Sequence, residues 1–391
     1  MAVLIKLEDL TVRRGRKEVL NGWNLNIDSA EVVVLSGENG CGKSTVIEAA
    51  AGLLNLENGS SKIQNQTIRD SEGRRGRTNF GLCLQNDCVM GDELVGEKLL
   101  DAAQANFDVK SLLDEWKLGH RINDKIAFLS GGQRRKIAVL SALVPAMISE
   151  QPIAVLLDEP DSGLDDDSIE ILVQLLRDLA AGGHAILVTS HNQKIINAAN
   201  RVISFPFSEK KQSPIIGTFN KLESKKSTTK NIGLRLNIRT MSGFANNGIA
   251  GLLVLGSMLA FVTPNQLGSE MLFAFILAPA LAAGLNGDPI FKLLQENRAH
   301  AWWYVRKATP PNAFAHVFLG CGLLTILSSA IANHWDAIVI LSGATLGLFT
   351  AIVVTILSHA TLRLARPNAV MLRLLTPILI LPWAILVSRL S

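Results

Sequence analysis

The chain has 391 residues, too many for one ordinary domain, so two domains are the starting expectation. Charged residues make up 18% and the mean hydropathy is +0.27, high for a wholly soluble chain and low for one buried in lipid. A net charge of +4 is too small to argue for a nucleic-acid partner, and Cys41, Cys83, Cys88 and Cys321 form neither a CxxC pair nor a zinc spacing, which suits reduced cytoplasmic thiols.

In chain order, the opening MAVLIKLEDLTV alternates like a strand and lacks the basic segment and long apolar core of a cleavable signal. Three short apolar runs follow, at 31–35 (EVVVL), 153–157 (IAVLL) and 184–189 (HAILVT), separated by helical patterns. Buried strands alternating with helices predict a mostly parallel α/β sheet over residues 1–206. Residues 207–240 then carry Lys210, Lys211, Lys221, Lys225, Lys226 and Lys230 among Ser, Thr and Asn, and read as a basic linker. It is either a solvated connector or a segment drawn to anionic headgroups, worth on the order of 1 kcal/mol per basic residue.

From 241 to 391 the sequence is apolar in blocks. Spans are expected near 243–262, 269–285, 313–332, 337–357 and 369–388, against the roughly 20 residues that cross a bilayer. The second loop, 286–312, carries Lys292, Arg298, Arg306 and Lys307 and the fourth carries Arg363, Arg366 and Arg373, whereas 263–270 and 333–336 have no Lys or Arg. That alternation puts the basic loops on the cytoplasmic side. It predicts a multi-pass protein of the cytoplasmic membrane, with five helices in an all-α transmembrane domain. An odd count puts residue 391 outside, unless a sixth span is very short or lost.

The chemistry sits in the first half. Gly37-Glu38-Asn39-Gly40-Cys41-Gly42-Lys43-Ser44 fits G-x-x-x-x-G-K-[ST] after a strand and before a helix. Backbone amides there would cradle phosphates, with Lys43 on the β/γ-phosphates, Ser44 on Mg²⁺ and Thr45 following in the helix. Asp158 and Glu159 end the second buried strand, where adjacent acids require compensating charge. Asp158 is the expected metal ligand and Glu159 the group that polarises an attacking water.

Leu129-Ser130-Gly131-Gly132-Gln133 resembles the signature motif of ABC ATPases, and with it residues 1–206 resemble that family nearly end to end. The resemblance implies an α/β P-loop ATPase fold with ATP and Mg²⁺ as cofactors. Gln85 resembles the Q-loop glutamine, also a metal contact, Asp165 closes the D-loop (Ser162-Gly163-Leu164-Asp165), and His191 resembles the switch histidine. It also implies that Ser130, Gly131, Gly132 and Gln133 close on a nucleotide held by a second ATPase/membrane half, either an identical copy or a similar partner. One departure is Arg13-Arg14-Gly15, where family members often stack adenine on an aromatic ring. Arg14 either stacks by its planar guanidinium or leaves the base loosely held.

The apolar half resembles ABC-2-type exporters and, more loosely, the haem-exporter pair of cytochrome c maturation. This rests on Arg14-Gly15, the stretch 291–314, and Ser342-Gly343-Ala344-Thr345 through Arg366-Pro367-Asn368 to Leu381-Pro382. The expected function is that of an ATP-driven export half moving an unidentified substrate across the lipid bilayer. The alternative is an ATPase that acts on a membrane partner without transporting. Residues 288–307, with Pro289 at a helix start and Ile290, Leu293 and Leu294 in a stripe, read as a coupling helix docked near Gln85 and the residues after it. The other reading is an interfacial helix with Trp302, Trp303 and Tyr304 among headgroups.

Overall fold

The structure is a computed structural model that describes residues 2–205, 208–212, 217–226, 241–286, 294–305, 312, 314–361, 375–380 and 382–383. The chain divides into two compact units: residues 1–230 with 296–309, and residues 231–295 with 310–391.

The first unit opens with the long strands β1 (Val3–Arg14) and β2 (Lys17–Asp28), followed by β3 (Val32–Ser36) and helix α1 (Lys43–Ala50). Next come β4 (Asn58–Ile63), β5 (Gln66–Asp70), β6 (Gly81–Cys83), α2 (Val95–Ala103), β7 (Ala105–Asn106) and α3 (Val109–Glu115). The remainder is α4 (Gly131–Ile148), β8 (Ala154–Asp158), α5 (Asp166–Ala181), β9 (Ala185–Thr189), α6 (Gln193–Ala198), β10 (Arg201–Ser204), β11 (Ser208–Lys211) and β12 (Lys225–Lys226).

Two main sheets result. An antiparallel one runs β2-β1-β4-β5, and a six-stranded one runs β11-β10-β3-β9-β8-β6. The second is parallel apart from its β11 edge. The three apolar runs read from the sequence are its centre, β3, β9 and β8, and Val32–Leu35, Ala154–Leu157 and Ala185–Val188 are wholly buried. Helices α1, α4, α5 and α6 pack against the sheet, and strands buried on both faces are continuous apolar runs rather than alternating ones. The register pairs Leu35 with Thr189 and Asp158 with Thr189, so the three strands end together.

The stretch 207–240 differs from a solvated connector where it is described. β11 pairs with β10, and β12 pairs with β7. Phe219 meets the His184 ring edge-on, with centroids 5.4 Å apart, and the Leu222 amide donates to the Met147 carbonyl. Phe219 and Leu222 supply the apolar area that the lysine count hides. Residues 227–240 lie outside the described residues.

The second unit contains the helices α7 (Met241–Phe261) and α8 (Ser269–Leu285), then α10 (Phe314–Ile331) and α11 (Ala337–Thr361); α9 (Ala299–Val305) belongs to the first unit. Phe314–Ile331 and Ala337–Ala360 are long and apolar enough to cross a membrane, with mean hydropathies of 1.9 and 2.4. Ala245–Phe261 and Ser269–Leu285 are shorter apolar helices. Of the expected span 369–388, residues 375–380 are helical, Ile380 is buried and the Trp383 indole donates to Thr345. The rest of it lies outside the described residues.

In this unit large apolar side chains stand outside as well as in the core around Leu255, Phe275 and Ile276. Leu253, Phe261, Leu341 and Ile356 face outward, whereas Thr325, Ser328, Ser329 and Thr350 are buried. Helices approach closely at small residues: a Cβ on Gly251 would lie 2.3 Å from Leu324, and one on Gly343 2.4 Å from Thr325. Small residues at helix crossings and apolar side chains outside are how helices pack in lipid.

Candidate functional site

At the common end of β3, β8 and β9 the chain turns into loops that carry the chemistry. After β3, Gly37, Gly40 and Gly42 all take positive φ (137°, 80° and 114°). Gly42 has a second constraint, since a Cβ there would lie 3.0 Å from the Val19 side chain. These angles wrap the loop around the Lys43 ammonium, which donates to the carbonyls of Gly37 (2.7 Å) and Glu38 (2.8 Å). Cys41 Sγ lies 3.9 Å from the same ammonium. α1 begins at Lys43, so its first amides point toward the loop.

Asp158, at the end of β8, is buried. Its Oδ1 accepts from Ser44 Oγ at 3.0 Å and from Thr189 Oγ1 at 2.6 Å. Burial pushes its carboxyl above the ordinary value, and the two hydroxyl bonds oppose that. Glu159 follows with φ 46°, a left-handed conformation rare outside glycine. Its amide is held by Thr189, through the carbonyl at 3.1 Å and the hydroxyl at 2.8 Å. Gln85 reaches it from β6, its side-chain amide donating to Glu159 Oε2 at 3.2 Å.

A pocket of about 780 Å³ opens over this cluster, lined by Asn39, Gly40, Gly42, Lys43, Ser44 and Thr45 and also by Gln85, Glu159 and His191. Ser44 Oγ and an Asp158 carboxylate oxygen 3.0 Å apart are hard oxygen donors of the kind Mg²⁺ takes, so the residues fit that ion.

Other expected residues stand elsewhere. Among the described residues lining the pocket, none belongs to 130–133, and Asp165 is not among them. Ser130 instead caps α4. Its hydroxyl accepts from the Gln133 amide (3.3 Å), and Gln133 Oε1 accepts from the Ser130 amide (3.1 Å). Gly132 packs against the Gly163 carbonyl, 2.8 Å from where a Cβ would sit. Asp165 caps α5 by accepting from Ser168 (2.8 Å), and Lys136 beside it, with Ser168, holds its carboxyl well below the usual range. Arg14 lines the pocket, but its guanidinium is paired with Glu48 at 2.6 Å.

Three residues of this region were not singled out as pocket or motif residues. Arg135, buried in α4, donates to the carbonyls of Leu84 (2.7 Å), Asp158 (2.7 Å) and Glu159 (2.6 Å), tying the Gln85 strand end to the acidic pair. Its only sequence signal is a cation two residues after Gln133 in an apolar helix. Glu48, buried in α1, falls one turn after Ser44 on the same helix face. Arg298 carries no local signal, because its partner, Glu48, lies 250 positions away.

Arg298 arrives on the segment expected to couple the halves. Of 288–307, residues 294–305 are described. The Cys88 amide donates to the Asn297 carbonyl at 3.0 Å. Trp302 and Trp303 are buried, each 2% exposed, and Lys98 stands 3.6 Å over the Trp302 ring while paired with Glu93 at 3.0 Å. The segment therefore docks on the residues just after Gln85. Rings lying among headgroups would be exposed, and these are not.

Residues 20–162 match the sequence profile of the family described as ABC transporter. The Nod factor export ATP-binding protein I of Burkholderia lata is 32% identical over 195 residues, covering 48% of this chain and 62% of that protein. The macrolide export ATP-binding/permease protein MacB of Hyphomonas neptunium is 31% identical over 216 residues, covering 51% of this chain and 33% of its own. A dimeric ATP-binding cassette solved in a post-hydrolysis state with ADP and Pi overlays at a TM-score of 0.44 and 24% identity, covering 53% of this chain and 98% of that one. The chain thus spans about three-fifths and one-third of the two curated relatives. Its N-terminal half is an ABC transporter ATPase domain, homologous to export ATP-binding proteins.

Proposed function

We propose that the chain is one half of an ATP-driven exporter that works as a dimer. The observation that carries this reading is the convergence of Lys43, Ser44, Glu159 and Gln85 on one pocket, with the buried Asp158 bonded to Ser44 and a docked segment from between two apolar helices beside it. ATP phosphates take up the amides of residues 40–45 and the Lys43 ammonium, which exchanges its loop carbonyls for phosphate oxygens. Ser44, Asp158 and Gln85 would hold Mg²⁺, which would supply charge neutralisation for the phosphates. Glu159 accepts a proton from the attacking water and Gln85 orients Glu159, while His191 faces the terminal phosphate. Catalysis of this kind is positioning and electrostatic clamping.

The capped motif at 130–133 does not line its own chain's pocket, which supports a second ATPase half supplying Ser130–Gln133 across a head-to-tail interface. The apolar exteriors of α7, α8, α10 and α11 support a multi-pass membrane unit, and the segment 294–305 supports coupling through the Gln85 side of the ATPase. Export is the activity named for the relatives and is carried here as part of the proposal. Haem as cargo is the finer reading. His316 is buried, and the half-buried His359 shares its Nδ1 with the Thr355 carbonyl.

The test is reconstitution of the full chain in liposomes with ATP hydrolysis and flux measured together. Nucleotide-dependent flux supports an exporter. Hydrolysis without flux of any substrate, stimulated by a membrane partner, selects the non-transporting ATPase instead.

A further inference from the structure

Among the described residues of 294–305, Arg298 alone lines the pocket. Its Nη1 donates to Glu48 Oε1 at 2.5 Å, and Arg14 Nη2 donates to Oε2 of the same carboxylate at 2.6 Å. Two guanidiniums share one buried carboxylate, so one positive charge there is left uncompensated by Glu48. Glu48 and Ser44 are four residues apart on α1, about 6 Å along its axis. A guanidinium held at Glu48 is thus within a side-chain length of the phosphate-binding loop.

The backbone directs it there. Asn297 and Arg298 are consecutive left-handed residues, with φ of 49° and 56°. Non-glycine residues hold that conformation where their surroundings impose it. Here the Cys88 amide fixes the Asn297 carbonyl, and the buried Trp302 and Trp303 anchor the following turn. A merely anchoring ion pair does not require its cation to line the nucleotide pocket. A planar guanidinium is also the side chain best matched to phosphate oxygens.

We propose that Arg298 is a phosphate-binding residue of the nucleotide pocket, supplied by the segment between the second and third apolar helices. Glu48 is the counterion that it exchanges for a phosphate oxygen. The proposal rests on the ATP reading above and adds a direct ligand to it. Nucleotide occupancy then pulls on the segment through a bond to the ligand itself, as well as through the groove that holds it.

The experiment measures binding of ATP, ADP and AMP to the full chain in lipid nanodiscs, by displacement of a fluorescent ATP analogue under non-hydrolysing conditions. Arg298→Gln is expected to weaken ATP about tenfold, as for loss of one charge-assisted bond, and to change AMP less than twofold. Glu48→Gln removes the competing anion and is expected to tighten ATP. Equal losses for ATP and AMP in Arg298→Gln, or no loss at all, overturn the proposal. So does a Glu48→Gln variant that weakens ATP as Arg298→Gln does, since a structural ion pair predicts the same sign for both. Should Arg298→Gln fail to fold, the sign of the Glu48→Gln effect decides. Lys43→Ala is the control: wild-type protein that binds no ATP, or binds it equally with Lys43→Ala, removes the ATP reading itself and the proposal with it.

Discussion

Gln85 and Glu159 are joined side chain to side chain at 3.2 Å, across 74 positions of sequence. The bond aims a carboxylate whose own backbone is left-handed toward the pocket, and it connects that carboxylate to the strand end on which the segment 294–305 is docked.

Glu159→Gln is isosteric, so packing and ATP binding should persist. Turnover should fall by roughly 10²–10⁴-fold, the usual worth of a general base. Lys43→Ala should instead weaken ATP binding. Steady-state hydrolysis and equilibrium binding separate the two, and a Glu159→Gln enzyme at the wild-type rate would remove that residue from the chemistry.

Arg135 holds the Leu84, Asp158 and Glu159 carbonyls from one buried guanidinium. Arg135→Gln cannot reach all three and should destabilise the first unit by roughly 1.5–3 kcal/mol, the range for bonds to a charged donor. Arg135→Lys should lie between. The readout is a shift in denaturation midpoint, with kcat falling more than ATP affinity because the Glu159 backbone is no longer clamped. An unchanged midpoint in Arg135→Gln would mean that the carbonyls find other donors.

The docked segment can be trapped. A cysteine at 297 and one at 87 should be joined by a short bifunctional maleimide, with a yield that changes when nucleotide is trapped. Trp302→Ala should lower that yield several-fold, because it removes the ring under Lys98. Absence of crosslinked product in every nucleotide state would return the segment to the membrane surface.

His184 supplies a pH signature. It is buried, its Nδ1 accepts from the Ile153 amide, and burial lowers its pKa to about 4 from 6.5. The unfolded chain therefore takes up a proton between about 6.5 and 4 that the folded chain refuses. This contribution to stability is full above the upper value and shrinks as pH falls, by roughly 3 kcal/mol in total, levelling off below about 4. Chemical denaturation at pH 7 and pH 5 should show His184→Phe or His184→Leu losing less stability on acidification than wild type. Equal losses would show that His184 is not the group responsible.

How much of this was legible in the sequence depends on distance along the chain. Residues 37–44 and the run ending in Asp158-Glu159 carry their own context, because a strand, a tight glycine turn and a helix leave one arrangement for the backbone. β3, β8 and β9 were legible for the same reason, as apolar runs buried on both faces. Glu48 and Arg298 were not read as a pair, since nothing local says that position 298 returns to position 48. Residues 208–226 misled through composition: lysines dominate the count, while Phe219 and Leu222 decide where the chain packs.

The apolar helices differ in reach. At 1.5 Å per residue, Ser269–Leu285 is about 26 Å long and Ala337–Thr361 about 37 Å, on either side of the roughly 30 Å hydrocarbon thickness of a typical bilayer. In a membrane the first must draw the leaflets together or snorkel its ends, and the second must tilt. Such hydrophobic mismatch stores elastic deformation in the surrounding lipid, fractions of a kcal/mol for each ångström. On the proposed membrane placement, acyl-chain length would bias the tilt of these helices, giving the lipid itself a mechanical hold on the protein.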